Sequence, residues 1–142
     1  MEQRLLVLLL PQPLERFQLE AQARELLRAP GAVAVDPARL SVARVPASLA
    51  AGLAVGQAKR MRLPGTPAAV AIFHPLQFYL GGALLARHPT AELWYGEPEP
   101  EERGRLEELH TVAAKRAALR FGVTPDLDIT PLRLRMVELG IA

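Results

Sequence analysis

Residues 5–10 read Leu-Leu-Val-Leu-Leu-Leu, with Arg4 before them and Pro11 and Pro13 after. A stretch that is apolar on both alternating faces cannot border water on either, so it has to be covered on both sides. It is far shorter than the ~20 apolar residues of a membrane span. Its prolines stand where a signal peptide would carry small cleavage-site residues. The run therefore reads as a β-strand inside a parallel sheet, with helices above and below it.

The rest of the chain repeats that logic. Residues 14–29 carry Leu19, Ala23, Leu26 and Leu27 at one-sided helical spacing and stop at Pro30-Gly31. Residues 32–35 make a second short strand closed by Asp36-Pro37, and 38–44 fit either a loop or a further strand. Between 46 and 62, Ala50, Leu53, Ala54, Ala58 and Met61 line one face of a helix that ends in Lys59, Arg60 and Arg62. A third strand covers 68–73; after His74-Pro75, Leu76, Leu80, Ala83 and Leu84 continue as a helix up to His88-Pro89. The fourth strand is 91–95, with Gly96 expected to turn the chain. Pro100 and the acids Glu99, Glu101 and Glu102 suit the first turn of a helix running to about 117. A fifth strand spans 118–123, and Thr130-Pro131 opens a last helix, 132–139, ending near Gly140. This order predicts one doubly wound, Rossmann-like α/β domain over residues 1–142, with a mostly parallel sheet of five or six strands.

Composition narrows the function classes. The net charge of +2 comes from 17 Lys+Arg against 15 Asp+Glu, a small arginine surplus rather than a basic stripe, so nucleic acid is not the expected partner. The absence of cysteine removes disulfides, thiolate metal sites and thiol nucleophiles together, and fits a reducing cytoplasm. Asparagine is absent as well, which with the heavy use of Arg, Leu, Ala and Pro suits a thermophilic-type composition.

Right-handed crossovers place every strand-to-helix turn on one edge of the sheet, and ligands of open α/β sheets bind along that carboxyl edge. It nominates Gln12 and Arg16 after the first strand, His74 and Gln77 after the third, Tyr95 and Glu97 after the fourth, and Thr124 and Asp126 after the fifth. Pro11-Gln12-Pro13 occupies the place where dinucleotide and P-loop domains need glycines, so no nucleotide cofactor is expected there. Gly81-Gly82 lies inside a helical pattern and reads as close helix packing; no G-x-S-x-G elbow is present. His74, His88 and His110 fall in three different elements without a ligand pair, so no metal centre is expected from them. Asp126-Leu127-Asp128 fits either a D-x-D cation holder or a turn whose acids cap the helix at Thr130, and local capping favours the second. His74 is the residue nominated for chemistry, as a base or an orienting group near neutral pH, with Glu97 as its acid if the third and fourth strands are neighbours. Trp94 and Tyr95 offer a surface for a sugar ring, one of the two being expected to face the core. Lys59, Arg60 and Arg62 complement the dipole of their helix, or touch an anionic lipid.

Segments from residue 70 onward resemble one family. Val70-Ala-Ile-Phe-His-Pro-Leu-Gln followed by Ala83-Leu-Leu-Ala-Arg-His-Pro is similar to the strand, His-containing loop and small-residue helix in the N-terminal lobe of GT-B glycosyltransferases of the retaining, family-4-like kind. Leu106-Glu-Glu-Leu-His with Ala114-Lys-Arg-Ala resembles the helix before that lobe's late strand. Leu119-Arg-Phe-Gly-Val-Thr-Pro resembles that strand, and Leu132-Arg-Leu-Arg-Met-Val-Glu-Leu-Gly-Ile the helix after it. Phe17, in a helix after a Pro-rich first loop, is compatible with the pattern. The resemblance implies an acceptor-binding lobe, with the loop histidine matched by His74 helping in the region between lobes. It also implies a second lobe that holds the sugar nucleotide through a glutamate-bearing motif and basic residues. The chain ends at Ala142, where those enzymes continue, and lacks the Gly-rich first loop many of them carry. The implied partner is thus a missing C-terminal lobe or partner subunit, the implied ligand a sugar or glycolipid acceptor, and the lobe alone is expected to be inactive. The competing expectation is a non-enzymatic α/β module that associates with copies of itself.

Overall fold

A computed structural model describes residues 3–10, 20–35, 47–98, 100, 106–123 and 127–142. The apolar run forms β1 (Arg4–Leu9), followed by α1 (Glu20–Leu26), β2 (Ala32–Val35), α2 (Ala47–Arg60) and β3 (Thr66–Ile72). A 3-10 turn (Pro75–Gln77) leads into α3 (Phe78–Arg87); then come β4 (Glu92–Glu97), α4 (Glu107–Arg116), β5 (Leu119–Gly122) and α5 (Thr130–Glu138). Among the described residues, five strands form one sheet in the order β2-β1-β3-β4-β5, and every neighbouring pair is parallel. The expected doubly wound α/β architecture is the one observed.

The chain moves one way from β1 to β2 and the other way through β3, β4 and β5. Right-handed crossovers then send α1 to one face and α2, α3 and α4 to the other, while α5 after β5 returns to the face of α1. The core obeys this. Leu6, Leu8, Ala71 and Trp94 pack on Ala23 and Leu26 of α1 and on Leu132 and Met136 of α5. Val7, Leu9, Ile72 and Tyr95 pack with Ala54 of α2, Leu80 of α3 and Ala113 of α4. Leu5 through Leu9 are wholly buried, which is why β1 tolerates no polar residue on either face. Each such side chain contributes about 1.5–3 kcal/mol on burial. Trp94 and Tyr95 are both fully buried, on opposite faces, because both faces are covered. The expectation that one of them faces a sugar is not met.

Three local features differ from the sequence reading or sharpen it. β3 begins at Thr66 and includes Pro67, a residue that cannot donate to a ladder; the pairing with β1 shifts register between Leu5 and Leu6, an irregularity of the kind that accommodates proline inside a sheet. Gly96 does not turn the chain but lies within β4, where an added Cβ would approach the Phe121 ring and Val123 to 2.8 Å. Its small size is needed for close packing, not for a turn. At Gly81 a Cβ would meet Ile72 at 3.0 Å, so this glycine does bring α3 close to the sheet as expected.

The helices are shorter than their patterns in the described residues. α1 ends at Leu26, and the loop-or-strand segment 38–44 lies outside the described residues, as do 14–19, Phe17 included. The helix expected from Glu99 is described as α4 from Glu107, with residues 99 and 101–105 outside. α5 closes through Gly140 at φ +71°, with Ile141 N–H bonded to Met136 O at 2.9 Å. Among the described residues no helix is long and apolar enough to cross a membrane.

Candidate functional site

In a 2-1-3-4-5 sheet the switch point lies between β1 and β3, where successive connections leave for opposite faces and open a crevice at the strands' carboxyl ends. The residue this geometry brings to the crevice is His74, the first after Phe73 at the end of β3. It is partly exposed, its backbone is extended (φ −159°, ψ 144°), and it caps the 3-10 turn: Leu76 N–H donates to its Nδ1 at 3.2 Å. Pro75 at the first position of the turn has the fixed φ that such a start favours and no N–H to leave unpaired.

Gln77, expected to face ligand, is buried. Its Oε1 accepts the Phe73 N–H at 2.6 Å, and Gln77 N–H donates to His74 O at 3.0 Å. The side chain thus closes the β3–α3 turn on itself and holds His74 in place. Tyr95, also nominated, points away from the edge into the core, where its hydroxyl lies 2.8 Å from His110 Nδ1 with the ring centroids 5.5 Å apart. A buried phenol needs such a partner. The sequence reading gave His110 no partner, only a place among three histidines without a ligand pair and in the Leu106-Glu-Glu-Leu-His stretch; its spacing from Tyr95 gave no hint of contact, since the two meet through a β4–α4 crossover.

Glu97 is the last residue of β4. The β3–β4 register pairs Ile72 with Tyr95, so two residues further on His74 and Glu97 end up level at adjacent strand ends. Glu97 has a cation of its own: Arg120 of β5 reaches it with both Nε, at 2.9 Å, and Nη2. Its carboxylate is thus already engaged in an ion pair across the β4–β5 edge. On the face that carries α1 and α5, Phe73 and Phe121 meet edge-to-face at 5.7 Å beside Gly96, a contact that the sequence order did not reveal. Gln12, Arg16, Thr124 and Asp126 lie outside the described residues.

Asp128 takes the capping role. Its Oδ1 accepts the Thr130 N–H at 2.9 Å, and hydrogen bonds from the Thr130 side chain and amide hold its carboxyl below the usual carboxylate range. Among the described residues no three His, Cys, Asp or Glu side chains converge as metal ligands would.

Two surface depressions lie away from this edge. A cleft of about 240 Å³ opens where α2 and α3 end, lined by Met61, Arg62, Leu63, Leu84, Arg87 and His88. A shallower furrow of about 340 Å³ runs between α3 and α4 over Phe78, Gly82, Leu85, Pro89 and Val112. Compared with known protein families, characterised proteins and solved structures, the chain matches none.

Proposed function

We propose that this chain is the acceptor-side lobe of a two-lobed glycosyltransferase, binding a hydroxylated acceptor along the carboxyl edge at His74 and depending on a second lobe or subunit for the nucleotide sugar. The observation that carries the reading is the position of His74, held by a capped turn at the end of β3 beside the switch point of a parallel sheet. The neighbouring first loop, with its prolines, supports it in a second way: it lacks the glycines with which such a sheet would hold a nucleotide itself. Glu97, paired with Arg120, stands at the end of the neighbouring strand. The test is titration of the chain, alone and with a separately produced nucleotide-sugar-binding lobe, against sugar and glycolipid acceptors. Saturable binding, with sugar transfer only in the reconstituted pair, is expected. No binding in either mixture rejects the reading.

A second reading, a module that associates with copies of itself, is favoured by a different observation. Leu49, Leu53 and Val55 on α2 and Leu134 and Val137 on α5 are all at least 45% exposed, Val137 at 76%. Exposed apolar side chains of this kind suit association. A light-scattering mass that rises with concentration supports this reading, and a monomer mass throughout the working range counts against it.

A further inference from the structure

We propose that the cleft where α2 and α3 end binds a small organic carboxylate, a monoanion with an apolar body. Its walls are of two kinds: Met61, Leu63 and Leu84 supply apolar surface, and Arg62, Arg87 and His88 supply polar groups. A volume of about 240 Å³ is that of roughly eight waters at ~30 Å³ each. The cleft therefore suits a branched-chain or aromatic acid and is too small for a sugar nucleotide. It lies at the strands' amino ends, where α2 leads into β3 and α3 into β4, on the edge opposite His74. Binding there is independent of the acceptor reading.

Charge selects the ligand. Among the described residues no acid lines the cleft, and Arg62 and Arg87 join no ion pair, whereas Arg28, Arg120, Arg133 and Arg135 each hold a carboxylate. Helix polarity accounts for Arg87, which closes α3, as it does for Lys59 and Arg60 in the last turn of α2. It does not account for Arg62, two residues past the end of α2. Two arginines bordering one cleft repel each other, and a carboxylate, which arginine grips through two parallel N–H bonds, relieves that repulsion. The helix ends also limit the ligand's charge: each brings carbonyl oxygens and roughly half a negative charge, whereas phosphate sites draw on the N–H groups of helix starts. One negative charge is thus favoured over the two of a phosphate monoester.

The experiment uses the full chain with ¹³C-methyl-labelled methionine. Of its three methionines, Met61 lines the cleft, and Met136, buried on the opposite face of the sheet, is an internal control. Met61→Leu assigns the signal. Benzoate and isovalerate are titrated beside benzyl alcohol, the neutral counterpart of benzoate, and phenyl phosphate. The expected result is a saturable shift of Met61 by a carboxylate in the millimolar range, with Met136 unmoved and the alcohol and phosphate ester about tenfold weaker. In the double variant Arg62→Gln and Arg87→Gln, both exposed positions, carboxylate binding falls about tenfold; a urea titration checks that it is folded. No Met61 shift with either carboxylate overturns the proposal. So does comparable binding of benzyl alcohol by the wild type, a comparison that needs no variant. Tighter binding of phenyl phosphate overturns the choice of a carboxylate, and unchanged binding by the folded double variant overturns the role of the arginines.

Discussion

At the residue scale, size and hydrogen-bond pairing decide more than charge does. Gly96 and Gly52 make a matched test. A methyl at Gly96 would meet Phe121 and Val123 at 2.8 Å inside the sheet's packed face, whereas one at Gly52 on α2 meets nothing within 4 Å. Gly96→Ala is expected to destabilise by about 1–3 kcal/mol through overpacking, and Gly52→Ala to stabilise by about 0.5–1 kcal/mol through helix propensity; urea titrations of both variants check the pair. Tyr95→Phe removes one buried partner and leaves His110 Nδ1 unsatisfied, for an expected loss of about 1–3 kcal/mol in the same assay. At this scale the sequence was half legible. It singled out His74, and the structure sets that residue at the sheet edge. It could not show that Gln77 and Tyr95 turn inward, because a polar side chain's partner depends on crossovers that bring distant residues together.

At the element scale, α5 is pinned to the sheet by one ionic cluster. Arg135 grips the Glu92 carboxylate at the start of β4 with Nε, at 3.0 Å, and with Nη2, and its Nη1 reaches Glu138 at 2.5 Å; the Trp94 indole N–H adds a fourth bond, to Glu92 at 3.2 Å. The Arg135 guanidinium holds the Glu92 carboxyl below its ordinary value, against the smaller opposing effect of burial. A carboxyl whose folded value is depressed binds its proton more readily in the unfolded chain. Its stabilising contribution is therefore complete above the unfolded value, ~4.3, and disappears as pH falls through the lower folded one. The pair is mostly covered but not sealed, so solvent screening limits Glu92→Gln to a loss of about 1 kcal/mol at pH 7. Urea midpoints measured at pH 7 and across pH 5 to 3 should fall less steeply in the acid range for Glu92→Gln than for the wild type; parallel curves would show that the cluster contributes nothing. Element order was the legible part of this chain, because the hydrophobic period changes between strand and helix and prolines mark most boundaries. The ends were less so: β3 reaches past its proline by way of a register shift, and β4 runs through a glycine whose composition suggested a turn.

For the whole molecule, the outer faces of α2 and α5 carry exposed apolar side chains. Ala50, Ala54 and Ala58 turn the small side of α2 to the sheet, and this leaves its larger residues, Leu49, Leu53 and Val55, facing outward. The sequence reading put Leu53 on the inner face with the alanines, an error of phase that follows from weighing size over fit. The seam these alanines face is filled by Val7, Leu9 and Val70 of the sheet and Leu80 and Leu84 of α3, and small side chains let α2 pack closely against them. Two substitutions separate packing from association. Ala54→Leu forces a larger side chain into the fully buried seam and should cost about 1–3 kcal/mol without changing the mass in solution. The double change Leu49→Ser and Leu53→Ser touches only exposed positions and should alter stability by less than about 0.5 kcal/mol per site in a monomer. If copies of the chain meet through α2, the double variant instead lowers the weight-average mass at concentrations where the wild type is associated. If a second lobe meets the chain there, the mass stays that of the monomer in both proteins and only capture of the lobe falls. Light scattering and a lobe-binding titration on the same two samples therefore distinguish self-association from assembly of a two-lobed enzyme, and unchanged behaviour in both removes α2 from either interface.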